Sequence, residues 1–233
     1  MEGPTIDELV LAADALPWRA AGFEVDDGVI DVGTVRIRLA GADAGRRIVR
    51  WTLRGAPGAE LDGLPTSVST GPTAAGADPG PRHPLGHRHP LGHRHPNGVV
   101  RLDHVVAFSP DLDRTVAALE RDGLPLRRVR EGPTPAGAMR QAFFRLGEVI
   151  LEVVENPPGT PGAEDRAREA RFYGIAFVVA DIDALAEELG ELPVPGGVLG
   201  SIRDAVQPGR RIATMRREAN LGLPVAFMTA PPE

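Results

Sequence analysis

Three stretches of the chain carry the same succession of hydrophobic patterns, and the middle stretch carries it most clearly. Residues 102–108 are apolar and rich in β-branched side chains, which predicts a strand. Apolar residues then recur at helical spacing from Leu112, with Ser109 and Pro110 expected at the helix start and Gly123 at its end. Three further strands are predicted at residues 126–130, 139–146 and 149–154. The predicted order is β-α-β-β-β.

The last and first stretches repeat this order with weaker signals. In the last stretch, Asp181 is the expected cap of a helix, and strands are predicted at residues 172–180, 198–206, 212–216 and 225–228. In the first stretch, a short helix is predicted at residues 14–22, and strands at residues 6–12, 29–32, 35–39 and 48–53. Internal repetition at this scale supports an architecture more strongly than any single strand does.

Between the first and middle stretches, the chain loses its hydrophobic periodicity and becomes rich in Gly, Pro, Ser and Thr. Such a composition buries too little apolar surface to offset the entropy of ordering, so we expect a disordered linker over residues 56–98. A tandem six-residue repeat runs through residues 83–96 and contains five histidines. Two interpretations stay open, namely metal capture by the imidazoles and a solvated linker that arose by expansion of the repeat.

The composition excludes several kinds of chemistry. The chain has 233 residues, enough for one large domain or two small ones, and 42% of them are apolar. Cysteine is absent, which excludes disulfides, thiolate nucleophiles and cysteine-based zinc sites. All 26 basic residues are arginine, so no lysine can form a Schiff base.

Charge and hydropathy bear on partners and location. A net charge of −6 argues against a nucleic-acid partner. No apolar run approaches the ~20 residues that a membrane-spanning helix needs. The first residues also lack the pattern of a secretory signal. We therefore expect no nucleic-acid or membrane partner and a cytoplasmic location.

The repeated unit resembles the modules of the vicinal-oxygen-chelate superfamily, which includes glyoxalase I, extradiol dioxygenases and bleomycin-resistance proteins. The resemblance is carried by residues 102–106 and 110–113, 149–155, and 175–183. It implies an α+β fold in which repeated βαβββ modules form an incomplete, cup-shaped barrel. It also implies a degenerate module at residues 1–55, the linker at 56–98, and a glyoxalase-like domain at 99–233 with modules at 99–156 and 171–230.

The resemblance also implies where a metal would be held. Members of the superfamily take His or Glu ligands from the first and last strands of each module, which here selects His104 and Glu152. The first stretch offers Glu8 at the position that matches His104, although an exposed residue on an edge strand is the alternative. The three together resemble the facial triad of extradiol dioxygenases and suit one divalent ion of Mn, Fe, Ni or Zn.

The last stretch departs from this pattern. Gly174 stands where a second His is expected, and Ala226, or the neighbouring Phe227, stands where a second Glu is expected. If the middle and last modules face each other, two protein ligands remain, fewer than the three of a usual catalytic site. His104 and Glu152 would then be a hydrogen-bonded pair in a metal-free pocket.

Two arginines are candidates for substrate binding. Arg210 and Arg211 follow Pro208 and Gly209, which predict a turn. Their guanidinium groups can hold a substrate carboxylate through paired hydrogen bonds. The alternative is that both belong to the solvated face of a hairpin.

Three functions stay open. The first is binding of a small organic molecule in the cup, which needs no metal. The second is a metal-dependent lyase, isomerase or extradiol-type dioxygenase, in which the metal polarises vicinal oxygens of the substrate. The third is assembly, because an odd number of modules leaves one module with free strand edges, which favours a homodimer.

Overall fold

The fold is described from a computed structural model, which covers residues 3–70, 94–134, 137–156, 159–160 and 162–232. The helices are α1 (Ala15–Ala20), α2 (Leu112–Arg121) and α3 (Ile182–Gly190). The strands are β1 (Thr5–Leu11), β2 (Val29–Val32), β3 (Val35–Leu39), β4 (Ile48–Arg54), β5 (Thr66–Ser69), β6 (Val99–Ser109), β7 (Leu126–Thr134), β8 (Gly137–Leu146), β9 (Val149–Glu155), β10 (Arg171–Val179), β11 (Arg203–Asp204), β12 (Arg211–Thr214) and β13 (Val225–Thr229). Among these residues, none of the helices has the length and apolarity to cross a membrane.

The strands form an eight-stranded and a five-stranded sheet. The order is β11-β12-β13-β10-β6-β9-β8-β7 in the larger sheet and β2-β3-β1-β4-β5 in the smaller one. In the larger sheet, β6 pairs in parallel with β9, and β10 pairs in parallel with β13. The first strand of each module therefore lies beside the last strand of the same module. This arrangement confirms the α+β class and the repeated βαβββ modules of the middle and last stretches.

The first stretch has the predicted elements in a different strand order. Strand β1 pairs in parallel with β3, and β4 lies on the other side of β1. Across the sheet, the first stretch therefore has the order second, third, first, fourth strand, whereas the other two modules have the order first, fourth, third, second. Strand β5 pairs in parallel with β4 and lies within the residues assigned by composition to the linker. Ordered structure therefore continues past residue 55. Residues 71–93, with the first four histidines of the repeat, lie outside the described residues.

Local chemistry explains where the elements of the middle module begin and end. The carboxylate of Asp111 accepts a hydrogen bond from the Arg114 N–H (3.1 Å) and caps α2. The cap is thus Asp111, because the Ser109 hydroxyl is used to accept the N–H of Asp111 itself (3.0 Å). Gly147, at φ 65°, begins the two-residue turn between β8 and β9 that the sequence predicted.

The chain contacts define two compact units, each assembled from separate stretches. The first comprises the described residues of Met1–Asp7, Arg50–Gly71 and His104–Gly174, and the second those of Glu8–Val49, Pro72–Asp103 and Ile175–Glu233. In the first unit, one side of β6 and β9 is buried together with the apolar stripe of α2, through Val105, Ala107, Leu112, Leu119, Leu151 and Val153.

The second unit has an aromatic core that includes the last histidine of the repeat. The rings of Trp18 and Phe177 lie 5.0 and 5.2 Å from that of Phe23, and His95 lies 5.4 Å from it. The His95 ring is buried; its Nδ1 accepts the Glu24 N–H, and its Nε2 faces a backbone carbonyl oxygen, each at 3.2 Å. This imidazole is therefore part of the packed interior, unlike a residue of a solvated linker.

Candidate functional site

His104 and Glu152 lie on neighbouring parallel strands and point to the same side of the sheet. Strand β6 is in register with β9 so that Val106 pairs with Glu152 and His104 pairs with Ile150, and alternation places all four side chains on one face. The distance from His104 Nε2 to Glu152 Oε2 is 3.7 Å, and the two side chains are 13% and 16% exposed. The two side chains therefore lie beside each other in a sheltered position.

The carboxylate of Glu152 has a second partner on the next strand. Gln141 of β8 is buried, and its side-chain amide donates to Glu152 Oε1. Phe143 lies directly opposite Glu152 in the β8–β9 register, which places its ring on the same face. Each Glu152 oxygen thus faces a polar group, which offsets the cost of sheltering a carboxylate.

The surface around this pair is mostly apolar. We use the name His104 face for the side chains that pair around His104 and Glu152 on this side of the four strands, namely His104, Val106, Phe108, Arg128, Arg130, Gln141, Phe143, Arg145, Ile150, Glu152 and Val154. The Tyr173 ring meets that of Phe108 edge-on, with centroids 4.6 Å apart. A small polar centre surrounded by apolar and aromatic side chains is typical of sites for organic ligands.

Two exposed arginines form the outer edge of the His104 face. Arg128 and Arg130 of β7 lie opposite Phe143 and Gln141 of β8. The Arg128 guanidinium lies over the Phe143 ring, 4.7 Å from its centroid. Neither arginine was predicted as a site residue; their alternation along a predicted strand was the available signal.

The arginine of the opposite face has a different environment. Arg140 of β8 donates to Asp113 of α2 (2.7 Å) and lies 3.5 Å from a Glu155 oxygen. The hydrogen bond from Arg140 lowers the pKa of Asp113 below its ordinary value, and the same bond raises the pKa of Arg140. The charge of Arg140 is therefore neutralised by carboxylates of the protein.

Glu8 has a partner of its own. It lies on β1 of the five-stranded sheet, and its carboxylate accepts from Arg38 Nε (3.3 Å) and Nη2 (3.0 Å). Among the described residues, no group of three or more His, Asp or Glu side chains is placed to hold a metal ion. The ligand set of Glu8, His104 and Glu152 therefore stays a prediction of the sequence.

The two arginines predicted to bind a substrate carboxylate have carboxylate partners within the protein, and their substrate-binding role stays a prediction of the sequence. Arg210 is buried and donates to both Asp103 oxygens (2.8 and 3.3 Å) and to the Thr229 carbonyl oxygen (2.8 Å). Arg211 pairs with Asp183 on the surface (2.7 and 2.9 Å). The guanidinium hydrogen bond lowers the pKa of Asp183 below its ordinary value.

Comparison with known proteins identifies the family. Residues 102–232 match the model of the glyoxalase-like domain. The chain belongs to this glyoxalase-like family. The family lies in the vicinal-oxygen-chelate superfamily, as the sequence predicted. No curated protein sequence matches the chain.

Solved structures with a similar fold cover just over half of this glyoxalase-like chain. One is methylmalonyl-CoA epimerase from Mycobacterium tuberculosis, with 20% identity, a TM-score of 0.46, and coverage of 58% of this chain and 91% of that one. Another is a Streptomyces coelicolor methylmalonyl-CoA epimerase variant in complex with 2-nitronate-propionyl-CoA, with 22% identity, a TM-score of 0.45, and coverage of 57% and 99%. A hypothetical protein from Bacillus halodurans C-125 has 20% identity, a TM-score of 0.44, and coverage of 57% and 96%. Similarity at this level concerns the fold and not the chemistry.

The last module of this glyoxalase-like chain offers no counterpart to the polar pair. Val106 pairs with Glu152 in the middle module, and Ala176 pairs with Ala226 in the same parallel register of the last one. His104 lies two residues before Val106, and Gly174 lies two residues before Ala176, so the two positions correspond. The register therefore selects Ala226 over Phe227 as the counterpart of Glu152, and neither Gly174 nor Ala226 has a ligating side chain.

The donor set does not fit a resident divalent metal. Members of the superfamily often use such a metal, and a catalytic site usually supplies three protein ligands. Here the imidazole and the carboxylate are two donors that face each other, and one Glu152 oxygen is taken by Gln141. What these residues offer instead is a set of hydrogen-bonding groups for a ligand.

Proposed function

We propose that this chain binds a small organic molecule on the His104 face of its middle module. The observation that carries the proposal is the sheltered trio of His104, Gln141 and Glu152 within an apolar surface. The imidazole and the amide can donate or accept hydrogen bonds, and the carboxylate accepts them. Polar groups few in number and fixed in place give orientation to a ligand, while the apolar surface around them supplies most of the binding free energy.

The rigidity of the polar groups supports the same function. Each lies on a strand rather than on a loop, and each strand is paired on both sides by the sheet order. Binding then costs little ordering of side chains, which improves affinity for a given contact area.

A neutral fluorescent probe tests this function. N-phenyl-1-naphthylamine becomes fluorescent in apolar sites and carries no charge. Val106→Gln places a polar amide among the apolar side chains of the His104 face, and we expect it to weaken probe binding about fivefold or more. Val129→Gln is the matched control, because Val129 of β7 is already 47% exposed and is not part of the His104 face.

A change in probe binding is informative only if the variant is folded. Both variants are compared with the parent protein by thermal unfolding and far-UV circular dichroism. A parent protein that binds no probe, or a folded Val106→Gln variant that binds as the parent does, would rule the proposal out.

A metal-dependent lyase, isomerase or dioxygenase is the alternative, and the adjacency of His104 and Glu152 is the observation in its favour. Metal content separates the two functions. An untagged variant without residues 82–93 keeps the buried His95 but removes the other histidines of the repeat. Stoichiometric uptake of Mn, Fe, Ni or Zn that is lost in His104→Gln and Glu152→Gln would establish the metal site. We expect no such uptake.

We also propose that the chain forms a homodimer and is located in the cytoplasm, as expected from the sequence. The nine-residue β7 is an edge strand of the eight-stranded sheet, and edge strands present unpaired backbone groups to a second chain. Analytical ultracentrifugation at micromolar concentration tests the dimer, and a single species at 24.7 kDa would contradict it.

A further inference from the structure

Two neighbouring arginines of the His104 face are exposed at its edge. Arg128 and Arg130 alternate along β7 and pair with Phe143 and Gln141 of β8. Gln141 in turn donates to Glu152. A molecule that lies against the polar trio and extends across β8 therefore reaches two positive charges.

Within the described ranges, Arg128 and Arg130 lack the carboxylate partners that several other arginines of the first unit have. Those with such partners are Arg54 with Asp7, Arg114 with Asp62, Arg140 with Asp113, and Arg166 with Asp111. Arg145 also lies on the His104 face, but its Nε donates to the Gly147 carbonyl oxygen (2.9 Å). In the part of the chain that the structure describes, neither Arg128 nor Arg130 has a carboxylate within ion-pair distance. Among the described residues, Arg121 of α2 is likewise exposed and has no such partner, and α2 packs on the other side of the sheet from the His104 face, which makes Arg121 a suitable control.

Arg128 is held in place without the use of its N–H groups. Its guanidinium carbon lies 4.7 Å from the centroid of Phe143, and this ring is buried. Contact with an aromatic ring restrains the side chain while the N–H donors stay available. Two such groups on alternate positions of one strand match a carboxylate or a phosphate, which accept paired hydrogen bonds from arginine.

The strand spacing sets the size of the ligand. Strands β7 and β9 are separated by β8, so the arginines and Glu152 lie two strand spacings apart, about 10 Å. The ring of Phe143 lies between them on the same face. A matching ligand has an anionic group at one end, an apolar middle portion, and hydrogen-bonding atoms at the other end.

We propose that the ligand of the His104 face is an organic anion, and that Arg128 and Arg130 bind its carboxylate or phosphate group. This inference rests on the proposed function, because it assigns the chemical class of the ligand at the same surface. Arg128 and Arg130 are then the residues that determine specificity for charge, and His104, Gln141 and Glu152 orient the other end.

A pair of fluorescent probes that differ only by an anionic group tests the inference. The probes are 8-anilinonaphthalene-1-sulfonate and its uncharged counterpart, N-phenyl-1-naphthylamine. We expect the double variant Arg128→Gln/Arg130→Gln to weaken binding of the sulfonate about tenfold, and to change binding of the neutral probe less than about twofold. Arg121→Gln is the matched control and should bind both probes as the parent protein does.

Competition then distinguishes the two kinds of anion. Benzoate and phenyl phosphate are titrated against the bound sulfonate in the parent protein and in the double variant. We expect one of the two compounds to displace the sulfonate from the parent protein at a concentration about tenfold lower than from the double variant. The compound that does so identifies the anionic group of the ligand as a carboxylate or a phosphate. Equal displacement from both proteins by either compound would overturn the inference.

The two proposals fail in different ways. If the double variant binds the sulfonate within about twofold of the parent while Val106→Gln still weakens the neutral probe, the charge assignment is wrong and the proposed function stands. If neither probe binds the parent protein, both are wrong. The single variant Arg130→Gln keeps the Arg128–Phe143 contact, and provides the same comparison if the double variant unfolds.

Discussion

At the scale of single residues, three sheltered carboxylates of the described residues have specific side-chain donors. Glu152 has His104 and Gln141, Asp103 has Arg210, and Asp62 accepts from Arg114 (2.9 and 3.2 Å). A sheltered carboxylate without such a partner is costly. The sequence indicated the first of these pairings, because His104 and Glu152 lie on strands whose parallel neighbours are fixed by the family fold. It did not indicate that Arg210 would be buried and paired with Asp103.

The buried Asp103–Arg210 pair leads to a prediction about stability. Arg210→Gln removes the guanidinium that donates to both Asp103 oxygens, and should lower the free energy of unfolding by about 3 kcal/mol. The double variant Asp103→Asn/Arg210→Gln removes the charge as well, and should lose less than the sum of the two single variants. Urea unfolding of the four proteins measures this coupling.

Arg211→Gln is the control for that measurement. Arg211 and Asp183 are exposed, with side chains 43% and 60% accessible, and water screens such a pair. Unfolding of this variant should match that of the parent protein. A loss as large as that of Arg210→Gln would show that burial is not what distinguishes the two arginines.

At the scale of elements, periodicity predicted nearly every helix and strand, and the misses have local causes. Residues 198–206 read as a strand, yet only Arg203–Asp204 pair as β11, and Leu199 makes an isolated bridge with Met215. In β7, a register shift between Leu126 and Arg128 changes which side chains share a face. Such a bulge has no signature in hydrophobic alternation, so the sequence could indicate that Arg128 and Arg130 share a face but not that Arg128 lies over Phe143.

The cap of α2 gives a prediction at this scale. The backbone N–H of Arg114, and to a lesser degree the Arg166 guanidinium, lower the pKa of Asp111 below its ordinary value. The cap therefore stabilises the folded protein above the ordinary aspartate pKa, and this contribution is lost as the pH falls through the lower, folded-state pKa. Asp111→Ala should cost about 1 kcal/mol at pH 7.

Asn is the informative comparison at the same position. Asp111→Asn keeps a side-chain oxygen that can cap α2 but has no carboxyl group to protonate. Its stability at pH 7 should stay close to that of the parent protein, and its unfolding free energy should fall less steeply in acid. Denaturant unfolding at a series of pH values from neutral to acid measures both effects. Equal acid sensitivity of the two proteins would contradict the assignment of Asp111 as the cap.

At the scale of the whole molecule, repetition along the sequence predicted the modules but not the order of their strands in the sheets. The middle and last modules share one parallel register between their first and last strands, and the first stretch has a different strand order. Strand order depends on contacts between residues far apart in the sequence, which a hydrophobic pattern does not report. The same limit applies to β5, whose four residues have no hydrophobic alternation.

The position of His95 has a practical consequence for dividing this protein. A fragment that starts at residue 99, where the composition changes, would omit an imidazole that bonds to the backbone at Glu24 and Asp31. Each compact unit is built from three separate stretches of chain, so no single cut releases either one whole. Excised pieces would therefore lack part of their own interior, and a protease that nicks the chain between residues 71 and 93 would leave two fragments that need each other to stay folded.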